Sequence, residues 1–511
     1  MAPVPSHPVL TCAEAKAWEA RILPDEESEW AAMQEAGAKL ALSILDDYKE
    51  IGCLPIHGRI LVLAGKGHNG GDALLAARAI IYERPDTNAV VVLAFGPGDL
   101  RPLAGRALDW LREQDPKRVQ ILTAEDALAA DQKYALCLDG IFGFQFRAPM
   151  DETIARLLVQ ANAHPAIKFR AAVDLPSGVG ETTATSVFHA DFTYATGIVK
   201  LPVLWPTNAT AVGRLRYVDL GLLKADSVPE ASERMLIEQL LVPLGELRPP
   251  QSDKRTYGHL FILGGSRSYP GAVLLAVRAA LRSGAGLVTA FVPEKLVPEY
   301  ASRHPEAMWV GCPENSTGGI APGSLALVRE RLSRATAFLI GPGLGTGAET
   351  MALATQLVDE AKVPVVLDAD ALRPEVIAVV KNKPFIGTPH AGEFERIAPV
   401  LFQDGKFTAP CGVLVLKGPM TRVIDGKNIY HSPFGGPVLA RGGSGDILAG
   451  LIGGLLAQQP DNPVLAACRG VAWHGRAADL LARAYGQVTV ETSELLEQLG
   501  PALKPTPWQT F

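Results

Sequence analysis

The chain has 511 residues, 48% of them hydrophobic, with 48 Lys and Arg against 54 Asp and Glu for a formal charge of −6. That length exceeds one ordinary core and implies two domains. The acidic balance, with no basic run interleaved with aromatics, argues against nucleic acid as a partner. Six cysteines (Cys12, Cys53, Cys137, Cys312, Cys411, Cys468) lie far apart without a C-x-x-C pair, which fits reduced thiols better than a disulfide framework or zinc site. The N-terminus has neither a basic start nor a long apolar run, and the most apolar segments, near 271–290 and 446–457, are glycine-punctuated. No membrane span or secretory signal is expected, and the cytoplasm is the expected compartment.

In chain order, Arg59–Ala64 reads as a buried strand, followed by a glycine turn and a helix over Ala73–Tyr82. Further strands are predicted at Ala89–Phe95, Ala135–Leu138 and Phe169–Val173. Continuous apolar strands separated by helices indicate a parallel sheet covered on both faces. The first domain is expected over residues 1–223. Residues 224–253 read as helical and polar, breaking up at Leu247-Arg-Pro-Pro-Gln-Ser-Asp, the best linker candidate. A second α/β series, over 254–511, has strands predicted at Leu260–Leu263, Leu287–Val292, Ala337–Ile340, Pro364–Leu367 and Val413–Leu416, and long apolar helices at Ala272–Ser283 and Asp446–Gln458. There are no tandem repeats; two different α/β units are fused.

The segment Gly65-Lys-Gly-His-Asn-Gly-Gly-Asp formally satisfies G-x-G-x-x-G through Gly65, Gly67 and Gly70. A dinucleotide fold also wants an acid at the end of the next strand, and here that strand ends Ala94-Phe95-Gly96. A Walker loop is excluded because no Lys-Ser/Thr follows the glycines. What remains is a glycine turn bearing Asn69 and Asp72, with two more strand ends in acids: Leu138-Asp139-Gly-Ile-Phe-Gly and Val173-Asp174-Leu-Pro-Ser-Gly. Strand C-termini of a parallel sheet line one crevice, so Asn69, Asp139, Asp174 and Ser177 are expected to converge. Their oxygens suit an alkali or alkaline-earth cation rather than zinc. Each acid alone reads first as a helix cap or turn former, and it is the three strand-end oxygens with the glycine turn that point to a site.

These motifs resemble the NAD(P)H-hydrate epimerase family, with its Asn-Asn-Gly-Gly-Asp turn, Asp-x-x-Phe-Gly and Asp-x-Pro-Ser-Gly segments, across residues 10–222. The resemblance implies a Rossmann-like three-layer sandwich and a potassium ion held by Asn69, Asp139 and Ser177. It also implies contacts to the hydrated cofactor from His68, Asn69, Gly70, Gly71, Asp72, from the loop Gly143, Phe144, Gln145, Phe146, Arg147, Ala148 and Pro149, and from Asp174. His68 stands where the family has Asn, and Ala73 where it usually has Gly.

In the second half, Arg441-Gly-Gly-Ser-Gly-Asp446 brings one carboxylate to the first turn of an apolar helix. Unpaired N–H groups and the helix dipole make such a start a seat for a phosphoryl group. A carboxylate repels phosphate but can act as a base beside it; the alternative is an Asp that merely caps its helix. Further turns at strand ends are Gly264-Gly-Ser-Arg-Ser-Tyr-Pro-Gly-Ala, Gly341-Pro-Gly-Leu-Gly-Thr, Asp368-Ala-Asp-Ala, Thr388-Pro-His-Ala-Gly-Glu-Phe and Lys417-Gly-Pro-Met-Thr. Asp368 and Asp370 read as parts of a tight connection. Lys417 can serve a phosphate as a point charge, and His390 sits in a Pro/Gly-flanked turn.

The ordered set resembles the ribokinase-like superfamily and, within it, the NAD(P)H-hydrate dehydratase family, over residues 250–500. The resemblance implies a ribokinase-like α/β sandwich in which Ala272, Gly343, His390 and Asp446 contact the hydrate. Lys417, Gly418, Pro419, Met420, Thr421 and Gly445 would hold the adenine nucleotide, ADP favoured over ATP, with Mg²⁺. Ala391 replaces a usual Pro. Arg441 replaces a Thr or Ser, placing a charge beside the phosphoryl path or facing solvent. Together the two resemblances imply repair of NADH and NADPH hydrates. Asp446 would deprotonate the hydroxyl for phosphorylation and elimination, and Asp174, with Asp139 as its ion-bound neighbour, would interconvert the epimers. Family members are often homo-oligomeric, and no surface patch in the sequence fixes this. The rival reading is a ribokinase-like kinase of a vitamin precursor with a non-catalytic, ligand-sensing first domain.

Overall fold

The computed structural model describes residues 3–126, 128, 131–224 and 228–504. The chain divides into two compact units, one over His7–Met235 with Ala482–Gly486, the other built on Leu236–Leu481. Among the described residues no helix is long and apolar enough to cross a membrane.

The first unit is a seven-stranded sheet in the spatial order Val119–Thr123, Thr87–Leu93, Gly58–Ala64, Leu136–Gly140, Arg170–Val173, Phe192–Thr196, Arg214–Val218. Every neighbouring pair is parallel. Alternate side chains serve opposite cores: Ile60 and Val62 pack with the helices Glu26–Tyr48 and His68–Glu83, while Leu61 and Leu63 pack with Glu152–Ala163. That alternation makes both faces apolar and the layers three. Chain order runs outward in both directions from the pair Gly58–Ala64 and Leu136–Gly140, whose ends stay level, Ala64 opposite Gly140. A crevice opens at such a reversal because the two connections leave toward opposite faces.

The second unit repeats the plan. Met308–Cys312, Leu287–Pro293, His259–Leu263, Ala337–Ile340, Val365–Leu367, Phe385–Gly387 and Gly412–Leu416 are parallel neighbours in that order. Arg422–Ile424 and Ile429–His431 then continue antiparallel. The order reverses between His259–Leu263 and Ala337–Ile340. Helices Pro270–Arg282 and Ser444–Gln458 cover one face so closely that a Cβ on Gly450 would lie 2.2 Å from the Ala276 carbonyl oxygen and one on Gly453 3.1 Å from Leu260. On the other face Ala348–Glu360, Pro374–Val380 and Ala391–Leu401 pack over Phe261, Phe338 and Val365.

Two local expectations are corrected. Residues 224–253 are not helical at first: the described part has a strand at Glu233–Leu236 and short 3-10 turns at Glu238–Leu240 and Val242–Gly245, and Ala225, Asp226 and Ser227 lie outside the described residues. Met235 and Leu236 are fully buried in extended chain, so strand pairing and burial there override the helical composition of the segment. The segment His68–Asp72 is not a turn but the first turn and a half of the helix His68–Glu83. Its glycines are needed for size: a Cβ on Gly70 would lie 2.1 Å from the Gly65 carbonyl oxygen, and one on Gly71 2.6 Å from the Met33 sulfur.

Candidate active sites

In the first unit Asp139 ends its strand completely buried. The Ser177 hydroxyl donates to its Oδ1 at 2.6 Å and the Ser177 N–H to its Oδ2 at 2.7 Å. The Phe142 N–H donates to the Ser177 hydroxyl at 2.9 Å, and the Asn69 side-chain amide donates to the Phe142 carbonyl at 2.8 Å. Asn69, Asp139 and Ser177 are thereby brought together through Phe142. Burial pushes the Asp139 carboxyl up to about 6 despite the bonds from Ser177 and Ile141. A desolvated carboxylate beside a hydroxyl, with the Asn69 amide tied in through Phe142 and no cationic partner among the described residues, is a donor set that suits a hard monovalent cation. Among the described residues no cluster of three His, Cys, Asp or Glu that could hold a metal ion is formed.

In front of this cluster lies a crevice of about 570 Å³ lined by His68, Asn69 and Asp72, by Gly143–Arg147 and Pro149, and by Asp174. Gly70, Gly71, Ala148, Asp139 and Ser177 do not line it. His68 sits at the rim, 3.4 Å from the Glu29 carboxylate. Asp174 is buried and holds a left-handed backbone, φ 65°, rare for a residue with a side chain. Its Oδ1 accepts from Lys200 Nζ at 2.7 Å. Lys200 also lies 3.6 Å from Glu19 and 4.8 Å from the centre of the Phe144 ring. Burial pushes the carboxyls of Glu19 and Asp72 upward, and the charge of Asp174 adds to both; Lys200, against its own burial, is held above its usual value by Asp174 and Glu19. Sequence reasoning missed Lys200 and Glu19. The available signal was a lysine inside the apolar run Gly197-Ile-Val-Lys-Leu-Pro-Val.

In the second unit Gly443, φ 91°, caps the helix Ser444–Gln458 and puts Asp446 in its first turn. Lys417 follows the strand Gly412–Leu416 and turns its ammonium to Asp368 Oδ1 at 3.1 Å and Glu393 Oε2 at 3.7 Å. A Cβ on Gly445 would lie 3.3 Å from that ammonium, so glycine lets the helix start approach Lys417. Burial, then the charge of Asp368, push the Asp446 carboxyl up to about 7; Asp370 and Glu393 add to the rise and Lys417 opposes it. Asp368, read from the sequence as part of a tight connection, is buried, accepts from the Thr388 hydroxyl at 2.6 Å and anchors Lys417.

Ala272 and Gly343 adjoin: a Cβ on Gly343, φ 62°, would lie 2.9 Å from the Ala272 Cβ and 2.4 Å from the Tyr269 carbonyl oxygen. Leu275, one turn further along that helix, lies under Gly443. Gly418–Thr421 form the connection to the antiparallel strand Arg422–Ile424. His390 caps the helix Ala391–Leu401, its ring accepting from the Gly392 N–H at 3.1 Å while Glu393 accepts from the His390 N–H at 2.8 Å. Arg441 donates to the Gln487 and Val488 carbonyls, both at 2.8 Å, and is a structural tie. His474, also missed by sequence reasoning, is buried behind the turn; burial first, then Lys417, push it down to about 4.

Two α/β sandwiches, one with an oxygen-lined crevice and one with a lysine facing a carboxylate at a glycine-lined helix start, define a two-site enzyme of Rossmann-like and ribokinase-like halves. A family model described as NAD(P)H-hydrate dehydratase matches residues 260–501, and one described as YjeF-related protein N-terminus matches residues 30–201. Bifunctional NAD(P)H-hydrate repair enzymes of Gloeobacter violaceus and Moorella thermoacetica are 34% and 33% identical to this chain, covering 93% and 87% of it and equal shares of their own lengths. A solved ADP/ATP-dependent NAD(P)H-hydrate dehydratase from Bacillus subtilis, co-crystallized with ATP/Mg²⁺, is 29% identical, covering 56% of this chain and 99% of that one with a TM-score of 0.43. The chain belongs to the family of bifunctional NAD(P)H-hydrate repair enzymes.

Proposed function

We propose that this chain restores hydrated NADH and NADPH in two steps: the domain over residues 1–223 interconverts the R and S hydrates, and the domain over 254–511 dehydrates the S form using an adenine nucleotide, ADP favoured over ATP. Hydroxide is a poor leaving group. Asp446 takes the hydroxyl proton as the oxygen attacks the terminal phosphorus and the shortened nucleotide leaves; the new ester then eliminates phosphate, its carbon–oxygen bond breaking as the neighbouring ring carbon gives up a proton to water, which restores the ring double bond. The helix-start N–H groups and Lys417 stabilise the transferred charge, where most of the catalysis of such a step lies. Gly418–Thr421 and Gly445 hold the nucleotide, and Ala272, Gly343 and His390 border the hydrate.

The observation that carries this reading is the placement of Asp446, half-buried in the first turn of its helix where Gly445 lets that start approach the Lys417 ammonium, with its carboxyl pushed up to about 7 by burial and by Asp368, Asp370 and Glu393. A carboxyl whose proton affinity is raised toward neutrality is suited to proton transfer. Magnesium bound with the nucleotide would supply charge neutralisation. In the first domain, Asn69, Asp139 and Ser177 would hold potassium, which supplies a fixed positive charge behind the crevice, while Asp174 exchanges the substrate proton. The cytoplasm, where the cofactor pool lies, is the compartment this reading assigns.

The test is to incubate the protein with mixed hydrate epimers and ADP or ATP. Recovery of dihydronicotinamide absorbance with release of phosphate, and consumption of both epimers, is expected. A stable phosphate ester would instead support a small-molecule kinase, and consumption of the S epimer alone would make the first domain a binding module.

A further inference from the structure

The first unit holds a buried cation that the scheme above leaves without a task. Lys200 has a side chain only 1% exposed and lines the crevice beside Asn69, Asp72 and Asp174. Lysine is almost never fully buried unless paired, and here it is paired twice, at 2.7 Å to Asp174 and 3.6 Å to Glu19, with a further bond to the Thr196 carbonyl at 3.3 Å. Its backbone is fixed in the short strand Val199–Lys200, Lys200 lying opposite Leu10. The ammonium therefore stands at a set height on the wall, its contacts all from one unit.

The chemistry of the substrate asks for such a group. Water adds to an enamine-type double bond at the carbon next to the ring nitrogen, so the hydrate carries hydroxyl and nitrogen on one carbon. That carbon inverts if the carbon–nitrogen bond opens and closes on its other face. A base must take the hydroxyl proton while an acid delivers a proton to the nitrogen. Asp139 is poorly placed as that acid: both its oxygens accept from Ser177 and it does not line the crevice.

Building on the epimerase reading, we propose that Lys200 is the catalytic acid of the first site, working against Asp174 as base. Asp174 accepts the hydroxyl proton, the oxygen lone pair forms the carbonyl, the carbon–nitrogen bond breaks, and the nitrogen takes that electron pair and a proton from the Lys200 ammonium. The product is an open aldehyde with a secondary enamine nitrogen. Rotation about the adjacent carbon–carbon bond turns the other carbonyl face to the nitrogen. Ring closure returns one proton to Lys200, and Asp174 returns the other to the oxygen. No proton, electron or co-reactant is left over. The Phe144 ring against the ammonium keeps water from that side.

The experiment uses the full chain without nucleotide, starting from one purified epimer and following appearance of the other by chromatography. Lys200→Met and Lys200→Arg are both expected to slow interconversion by about 100-fold or more, the usual worth of a positioned acid; arginine keeps the charge beside Asp174 but does not give up a proton. Interconversion by Lys200→Ala is expected to recover with added methylammonium, more strongly for more acidic amines, a dependence that a purely structural lysine would not produce. If Lys200→Met does not fold, Lys200→Arg carries the test. Wild-type rate in either variant, or a Lys200→Ala rate insensitive to amine acidity, overturns the assignment. If the wild-type chain itself fails to interconvert the epimers, the epimerase reading falls and this role with it.

Discussion

Asp446→Asn is expected to slow dehydration by orders of magnitude and stabilise the second unit at the same time. The Asp446 carboxyl rises from 3.8 to about 7 on folding, and each tenfold change in proton affinity is worth about 1.4 kcal/mol. Keeping this carboxylate ionised above neutrality therefore costs the fold roughly 4 kcal/mol by the same conversion. The amide keeps the shape and removes the charge that meets Asp368, Asp370 and Glu393. The folded state holds the proton more tightly than the unfolded chain does, so the contribution of protonated Asp446 is fully present below about pH 4 and is lost as the pH rises through about 7. The variant lacks this slope. Its advantage in thermal or urea unfolding should be near zero at about pH 4, grow toward pH 7 and stay level above it.

In the same samples, dehydration of the S hydrate should fall by about 10²–10⁴-fold at pH 8, the worth of a general base. In the wild type, kcat/KM should decline below about pH 7 as Asp446 takes up a proton. A variant no more stable than wild type at pH 8, or one that retains full dehydration, would refute the reasoning, the first in its electrostatics and the second in its chemistry.

Lys417→Met removes the cation that opposes the rise in Asp446; the acidic limb of the dehydration profile should move above pH 7, and the nucleotide KM should rise by about 10- to 100-fold, the worth of a charge-assisted hydrogen bond. Asp139→Asn keeps a side chain that Ser177 can bond but removes the charge facing a cation; epimer interconversion should become slow and insensitive to replacing potassium by tetramethylammonium, with dehydration in the same assay as the control. Asp47→Asn removes a charge that buried guanidiniums meet, since Asp47 is fully buried and accepts from Arg216 at 3.0 and 3.1 Å and from Tyr194 at 3.1 Å, while Glu50 stays 3.7 Å from Arg216. It should cost about 1.5–3 kcal/mol in chemical unfolding at neutral pH, the worth of a hydrogen bond to a charged group. Because Arg216 and Arg483 overcome burial and hold Asp47 below the usual carboxylate range, the wild-type advantage should be present above that range and shrink only in strong acid.

The interior strands were legible because both their faces are buried. Ala337–Ile340 is apolar throughout and has the predicted ends. The edge strand Val119–Thr123 is only half-buried and carries Gln120 and Thr123, so nothing in its composition marks it. The helix start at His68 was hidden for a different reason: two adjacent glycines read as a turn, while the packing of Gly70 on Gly65 and of Gly71 on Met33 uses their smallness. Motif turns could be seen in the sequence; what faces them could not. Asp368 looked like a turn residue because its partners, Thr388 and Lys417, come from other connections. Lys200 and Glu19 lie far apart in sequence, and only folding brings them to Asp174.

Each unit pairs a lysine with a carboxylate, but the proposed base lies outside that pair in the second unit and within it in the first, and the reactions proposed for the two units account for the difference. In the second unit Asp446 stands among three other carboxylates with Lys417 as the nearby cation, so its charge is undercompensated and its proton affinity approaches neutrality. An alcohol that must lose its proton as a phosphoryl group arrives needs such a base. In the first unit the crevice pairs Lys200 directly with Asp174 and leaves Glu19 and Asp72 desolvated beside them. A reversible inversion gains nothing from a net proton sink. It needs a donor and an acceptor in contact, each restored by the return stroke, and a charge held within an ion pair provides both.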